Sequence, residues 1–312
     1  MGNSYRQIHY VMRPGKNVER KLMAEVVSRI AGLTTVSDMR YVGLGSVYFA
    51  DFSTFHRRLG FREMHSIEEV SDPDIRQRFE FNRPYDTQLH FAHTNDALPS
   101  LDWAKPSFVW LDYDDVFGGW MLDDLNIITA SACSPTIFAI SVNVEPGESE
   151  GRFERFKQEV GVELLPDGVT KDASLGGPRM GNAVRDVINL AISGVLSDRN
   201  GVLSGDEVIQ YRQLFNFRYK DGARMLTVGG LLHTVGASEQ VEKCDFEGLP
   251  FVCSGDETFE ITVPKLTVRE ALHLDAQLPS GKPLQAPGVP PSEISAYARL
   301  YRYLPSFVDA DL

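Results

Sequence analysis

The run Met39 to Asp51, MRYVGLGSVYFAD, constrains this chain more than any other stretch. Met39 to Val42 is short, apolar and β-favouring, Gly43-Leu44-Gly45-Ser46 breaks it, and Val47 to Leu59 resumes at helical spacing. The pattern predicts a strand, a glycine turn and a helix. Glycines belong in such a turn because a side chain would hold a flat ligand off the backbone, and because a tight strand-to-helix turn often asks for positive φ. A second strand, Glu63 to Ile67, runs into Glu68, a carboxylate placed to accept hydrogen bonds from the two hydroxyls of a ribose. The expected occupant contains a nucleoside.

The alternation continues downstream. Ser71-Asp72-Pro73 opens a helix that runs through Phe81, with Asp72 in capping position. Leu89 to His93 reads as a third strand, and Asn95 or Asp96 after it can cap the Ala97 to Leu101 turn. Phe108 to Leu111 is nearly all apolar, as expected of a strand buried on both faces of a parallel sheet. It ends in Asp112-Tyr113-Asp114-Asp115, at the carboxyl end where doubly wound folds place ligands. The helix Met121 to Ala132 and the strand Thr136 to Val142 extend the series to five strands separated by helices. A charged helix (Arg152 to Val160), a long loop (Pro166 to Gly181) and an amphipathic helix (Asn182 to Leu196) follow. Leu214 to Tyr219 and Arg224 to Leu232, joined at Lys220-Asp221-Gly222, form a hairpin pattern.

Ahead of the sheet, Val18, Leu22, Val26 and Ile30 recur at helical spacing, after an Arg13-Pro14-Gly15 turn. The polar side of that helix carries Lys16, Arg20 and Lys21. With Arg13 it could face an anionic substrate, or it could be a solvated face pairing with Glu19 and Glu25. Beyond the hairpin come a short strand (Phe259 to Val263), a helix capped by Thr267 and Glu270, a linker with five prolines from Pro279 to Pro291, and a helix from Ser292 to Leu304. The expected organisation is an N-terminal arm and lid helix (1–38), a core (39–232) and a small α+β appendage (233–312) packing on it.

Composition narrows the function classes. The chain has 312 residues and a formal charge of −12, from 31 basic and 43 acidic residues, which argues against an extended duplex nucleic acid as partner. Three cysteines at wide spacing point to a reducing, cytoplasmic setting and offer no zinc-ligand pattern. No run approaches the ~20 apolar residues that cross a bilayer. A homodimer is compatible with all of this.

At the glycine turn, Glu68, Asn95-Asp96 and Asp112, the chain resembles a class I S-adenosylmethionine-dependent methyltransferase, over roughly Val18 to Gly230. The RPGKNVERK, YVGLGSVYF, RFEFNRP, WLDYD and YRYLPSF segments are similar to a bacterial group of O-methyltransferases, and that similarity spans nearly the whole chain. It implies a Rossmann-like, doubly wound sheet, mostly parallel, with an antiparallel terminal hairpin. It also implies S-adenosylmethionine as cofactor on Gly43, Gly45, Ser46, Glu68, Asn95, Asp96 and Asp112. Asp112, Tyr113 and Asp114 are the expected catalytic group, with Asp114 as general base at the acceptor. Arg13, Lys16 and Arg20 are the expected substrate contacts. The acceptor itself stays open among small molecule, nucleotide and protein. The turn has two glycines rather than three, and WLDYD differs from the DPPY or NPPY tetrad of amino methyltransferases, which favours oxygen as the acceptor atom. The Asp cluster would suit Mg2+, but no second cluster supports a metal. A catalytically silent module that binds a nucleotide or a protein is the alternative, and a nicotinamide dehydrogenase fits the glycine pattern poorly.

Overall fold

The computed structural model describes residues 13–305, within which one eight-stranded sheet runs in the order β3-β2-β1-β4-β5-β7-β6-β8. β1 (Arg40–Gly43), β2 (Glu63–Ile67), β3 (Gln88–His90), β4 (Ser107–Val116) and β5 (Thr136–Asn143) are mutually parallel. β6 (Ile209–Asp221) and β7 (Ala223–Thr234) form the hairpin, and β7 pairs antiparallel with β5. Gly222, at φ +101°, makes the tight turn between them. The carboxyl ends of β1, β2, β4, β5 and β6 therefore share one edge. The first strand pairs with both β2 and β4, so the order reverses there, which opens a crevice beside Gly43.

Helices cover both faces. On one lie α1 (Pro14–Arg29), α2 (Ala50–Leu59) and α3 (Pro73–Asn82), packed on Tyr41, Phe108, Trp110 and the hairpin residues Phe217 and Tyr219. On the other lie α4 (Thr94–Ala97), α5 (Trp120–Ser131), α6 (Arg152–Val160) and α7 (Pro178–Asn200), packed on Val42, Val109, Leu111 and Tyr113. The two clusters divide β4 by odd and even residues, as the two-residue period of a strand requires.

Several boundaries differ from the sequence reading. α1 begins at Pro14, so Arg13-Pro14-Gly15 is a helix start rather than a separate turn; proline suits the first helical position because its missing N–H is needed by no one there. Asp221, from the hairpin, accepts the Lys16 backbone N–H at 3.0 Å in place of a local cap. β4 runs on through the aspartates to Val116, and α7 starts at Pro178, shortening the long loop. The third strand stops at His90.

The C-terminal residues add β8 (Phe259–Glu260) in parallel to β6, then α9 (Val268–Asp275), which carries the Thr267–Glu270 capping box, and α10 (Pro291–Leu300). Between the hairpin and β8 lies α8 (Ser238–Lys243). Phe251, Phe259, Leu300 and Tyr303 join the same core cluster as α1. Tyr303 donates to Glu25 at 2.5 Å, and Lys21 donates to the Leu304 carbonyl at 2.8 Å, so residues 303–304 are tied to the first helix. Cys133, Cys244 and Cys253 are free thiols, and no described helix is long and apolar enough to cross a membrane.

Candidate active site

The glycine turn leaves β1 in close contact with its surroundings. A methyl group at Gly43 would stand 2.5 Å from the Tyr41 hydroxyl, and one at Gly45 would overlap Glu68 Oε1 and Ser66 Oγ. Glycine is thus required at both positions by what already surrounds them, and at Gly45 the neighbour is the proposed ribose carboxylate. Phe49 closes the turn in the left-handed region (φ 43°, ψ 40°), its N–H donating to the Ser46 carbonyl at 3.0 Å. A non-glycine residue there stores on the order of 1–3 kcal/mol of backbone strain, which the buried Phe49, Phe52 and Phe79 rings hold in place.

Glu68 follows β2 and is 2 % exposed. Its Oε1 accepts from Ser66 Oγ at 2.5 Å. Burial pushes its carboxyl up to about 8, only partly opposed by the Ser66 hydroxyl and the Gly45 backbone, while the neighbouring Asp51 charge pushes the same way. A buried carboxylate this poorly solvated is suited to a ligand that brings hydroxyl donors.

Asn95 and Asp96 separate. Asp96 points to solvent on the first turn of α4, whereas Asn95 Oδ1 is buried and has no hydrogen-bond partner. His93, not either of them, caps the helix, its Nδ1 accepting from the Asn95 N–H. The inward Asn95 can serve a ligand at this edge, whereas Asp96 is exposed.

The basic row of α1 is not solvated. Lys16 is 1 % and Arg20 4 % exposed, and each cation meets carboxylates at the carboxyl edge of the sheet. Arg13 Nη1 lies 3.4 Å from Asp114 Oδ1. Lys16 Nζ lies 2.5 Å from Asp112 Oδ1 and 2.8 Å from Glu19 Oε2, donates to the Tyr219 hydroxyl at 3.0 Å, and sits 4.2 Å above the Trp110 ring. Arg20 lies beside Asp51, whose carboxyl is raised by burial and held back by that guanidinium and by the Tyr41 hydroxyl at 2.5 Å. The positions recur every three or four residues, so one helix face delivers all three. In this structure these cations, the expected substrate contacts, meet the protein's own acids.

Polar groups continue beneath Lys16. Glu19 accepts from Thr227 Oγ1, Thr227 and Ser141 share a hydrogen bond of 2.6 Å, and Trp110 Nε1 donates to Ser141 at 2.8 Å. Burial raises the Asp112 carboxyl to about 6, with Lys16 opposing and Glu19 and Asp114 reinforcing the rise. Glu19, Ser66, Asp51 and Tyr219 belong to this site, although nothing in their local pattern singles them out. Only the i, i+3 relation of Glu19 to Lys16 could have pointed to it.

Strand alternation sends Tyr113 the other way. Its hydroxyl donates to the buried Asp124 of α5, and its ring packs on the face opposite Asp112 and Asp114. Tyr113, expected in the catalytic group, thus supports α5 and faces away from Asp112 and Asp114. Asp112 and Asp114, on which a Mg2+ site would have to rest, are engaged by Lys16 and Arg13, and among the described residues no group of three His, Cys, Asp or Glu side chains could hold a metal ion.

Among solved structures, Trm1 from Pyrococcus horikoshii, in complex with S-adenosyl-L-methionine, matches at 11% identity and a TM-score of 0.44, over 72% of this chain and 57% of its own. The chain thus spans little more than half the length of that protein. Spermidine synthase from Thermotoga maritima matches at 8% identity and a TM-score of 0.38 over 77% of this chain and 67% of its own. The plantazolicin methyltransferase BpumL in complex with SAH matches at 9% and 0.35, over 69% and 84%. No curated protein matches the sequence. Residues 8–312 match the family described as "Putative O-methyltransferase", and the chain belongs to that family.

Proposed function

We propose that the enzyme methylates an oxygen of its acceptor, with Asp114 as general base. One observation carries the reading: β4 sets Asp112 and Asp114 on one face at the carboxyl edge of the sheet, in the crevice shared with the glycine turn and Glu68. Glu68 would accept from the ribose hydroxyls and Asn95 Oδ1 from the adenine amino group. The backbone of Gly43 to Ser46 would lie along the cofactor, and Asp112 would meet the ammonium of its methionine end. The unpaired Asn95 oxygen and the poorly solvated Glu68 carboxylate fit such a group.

S-adenosylmethionine supplies an electrophilic methyl on a sulfonium, so the chain need not supply a nucleophile. Its own tasks are to align the acceptor, remove a proton and exclude water. Residues two apart on a strand stand about 7 Å from each other, which places Asp114 one step beyond Asp112 toward the open edge. Its side chain is 27% exposed, against 14% for Asp112, so it is the carboxylate an acceptor hydroxyl can reach. Arg13 fixes its position, and Trp110 with the Lys16 stem shields the floor.

Calorimetric titration should show binding of S-adenosylmethionine and none of NAD; absence of donor binding would remove the reading. On an acceptor found by screening hydroxyl and carboxyl compounds, Asp114→Asn should lower kcat by about 10²–10⁴-fold with donor affinity unchanged. Tyr113→Phe should leave kcat near wild type and lose only the stability of one buried hydrogen bond, about 1 kcal/mol. Equal kinetic losses in both variants would overturn the assignment of the base.

A further inference from the structure

The hairpin end of the sheet holds a cavity of about 940 Å3 that the residues discussed so far do not fill. Tyr219 and Met225 form its floor, the start of α7 one wall, and the segment from β8 to α9, with Ile261 and Val263, the other. Arg218 enters between them. A methyl on Gly181 would lie 3.0 Å from Arg218 Nε, so the glycine lets the guanidinium lie flat against α7. Its Nη2 donates to Asn182 Oδ1, and its Nε has no partner. The acids along the same wall are largely committed. Asp221 accepts from the Lys16 N–H, Glu270 closes the α9 capping box, and Glu260 lies between Arg218 and Arg299. Lys220, Lys265 and Arg224, the last paired with Glu145 at 3.9 Å, also face the cavity, so its largely apolar walls carry four cationic groups against three acids.

Tyr219 stands between this space and the candidate active site. It lines the cavity, and its hydroxyl takes a hydrogen bond from Lys16 Nζ, which meets Asp112 at 2.5 Å. A volume of this size suits a small molecule.

Resting on the methyl-transfer reading above, we propose that the cavity takes the methyl acceptor and that this is a small organic anion with an extended apolar body, its acid group against Arg218. The appendage is then a wall of the acceptor pocket and sets its length.

Two fluorescent probes separate the apolar body from the charge: 1-anilinonaphthalene-8-sulfonate, and the uncharged N-phenyl-1-naphthylamine. With the full chain saturated in S-adenosylmethionine, Arg218→Gln should weaken the sulfonate about tenfold and leave the neutral probe unchanged, a difference of about 1.4 kcal/mol. Val263→Trp, or Thr262→Trp on the exposed rim should the first not fold, should weaken both probes at least tenfold. Donor affinity should stay at the wild-type value in each variant. Failure of the wild type to bind the sulfonate, indifference of the sulfonate to Arg218→Gln, an equal loss for both probes in that variant, or indifference of both probes to the filling substitutions would overturn the proposal. Lack of donor binding by the wild type would instead overturn the methyl-transfer reading, and the probes would still report on the pocket.

Discussion

Glu68→Gln should raise the melting temperature of the ligand-free enzyme at pH 8 and weaken S-adenosylmethionine binding by about two orders of magnitude. Both effects follow from one buried charge. Burial raises the Glu68 carboxyl from 4.5 to about 8. The group's contribution to stability is therefore complete below about pH 4.5 and is lost as pH rises through about 8. Glutamine keeps an oxygen for the Ser66 hydroxyl and carries no charge to desolvate. At about 1.4 kcal/mol per pH unit, the relief amounts to a few kcal/mol at pH 8, or roughly 5 °C or more in Tm. It should vanish near pH 5. The affinity loss arises because hydrogen bonds from ribose hydroxyls to a carboxylate are each worth about 1.5–3 kcal/mol, and to a neutral amide considerably less. Scanning fluorimetry at pH 5 and pH 8, with calorimetry of donor binding, measures both. A variant that binds the donor like wild type would show that Glu68 does not hold the ribose. One that melts no higher at pH 8 would show that the carboxylate is already solvated.

The contrast between Glu68 and its partners explains what the sequence could disclose. Strand, glycine turn, helix and terminal acid are local patterns, and their chemistry follows from a few consecutive residues. The same holds for the Asp-Gly hairpin and the Thr267 capping box. Tyr113 illustrates a boundary error with a functional consequence. Aspartate is a poor strand former, so the apolar run suggests that β4 stops at Leu111. Once the strand is seen to continue to Val116, period-two alternation puts Asp112 and Asp114 together and Tyr113 opposite. Asn95 and Asp96 are adjacent and similar in size, and only the packing of α4 decides which one turns inward. The burial of Lys16 and Arg20 is less accessible still, because their partners lie on β4 and at the start of α2. The Arg218 cavity needs α7, the hairpin and the appendage assembled at once.

Lys16→Met should cause the largest stability loss of any single substitution at this edge, about 3–5 kcal/mol, or roughly 6–15 °C in Tm at pH 8. Lys16 is the cation between Asp112, at 2.5 Å, and Glu19, at 2.8 Å. Asp112 already feels the Glu19 charge as a force that raises its carboxyl. Without the lysine, two buried carboxylates oppose each other with only hydroxyl donors nearby, and the folded value of Asp112 must rise further above its unfolded one. A raised carboxyl contributes its stability at low pH and loses it as pH increases, so the deficit should be small near pH 4.5 and complete at pH 8. Asp112→Asn, which leaves the Lys16–Glu19 pair in place, should cost much less. Combining the two changes should recover part of the loss, giving a coupling energy of about 1–3 kcal/mol in a double-mutant cycle. A deficit independent of pH, or strictly additive with Asp112→Asn, would mean that Lys16 acts mainly through its aliphatic packing on Trp110. The pH-dependent, coupled outcome would place the stability of α1 and the charge of the proposed methionine-binding aspartate under the same lysine.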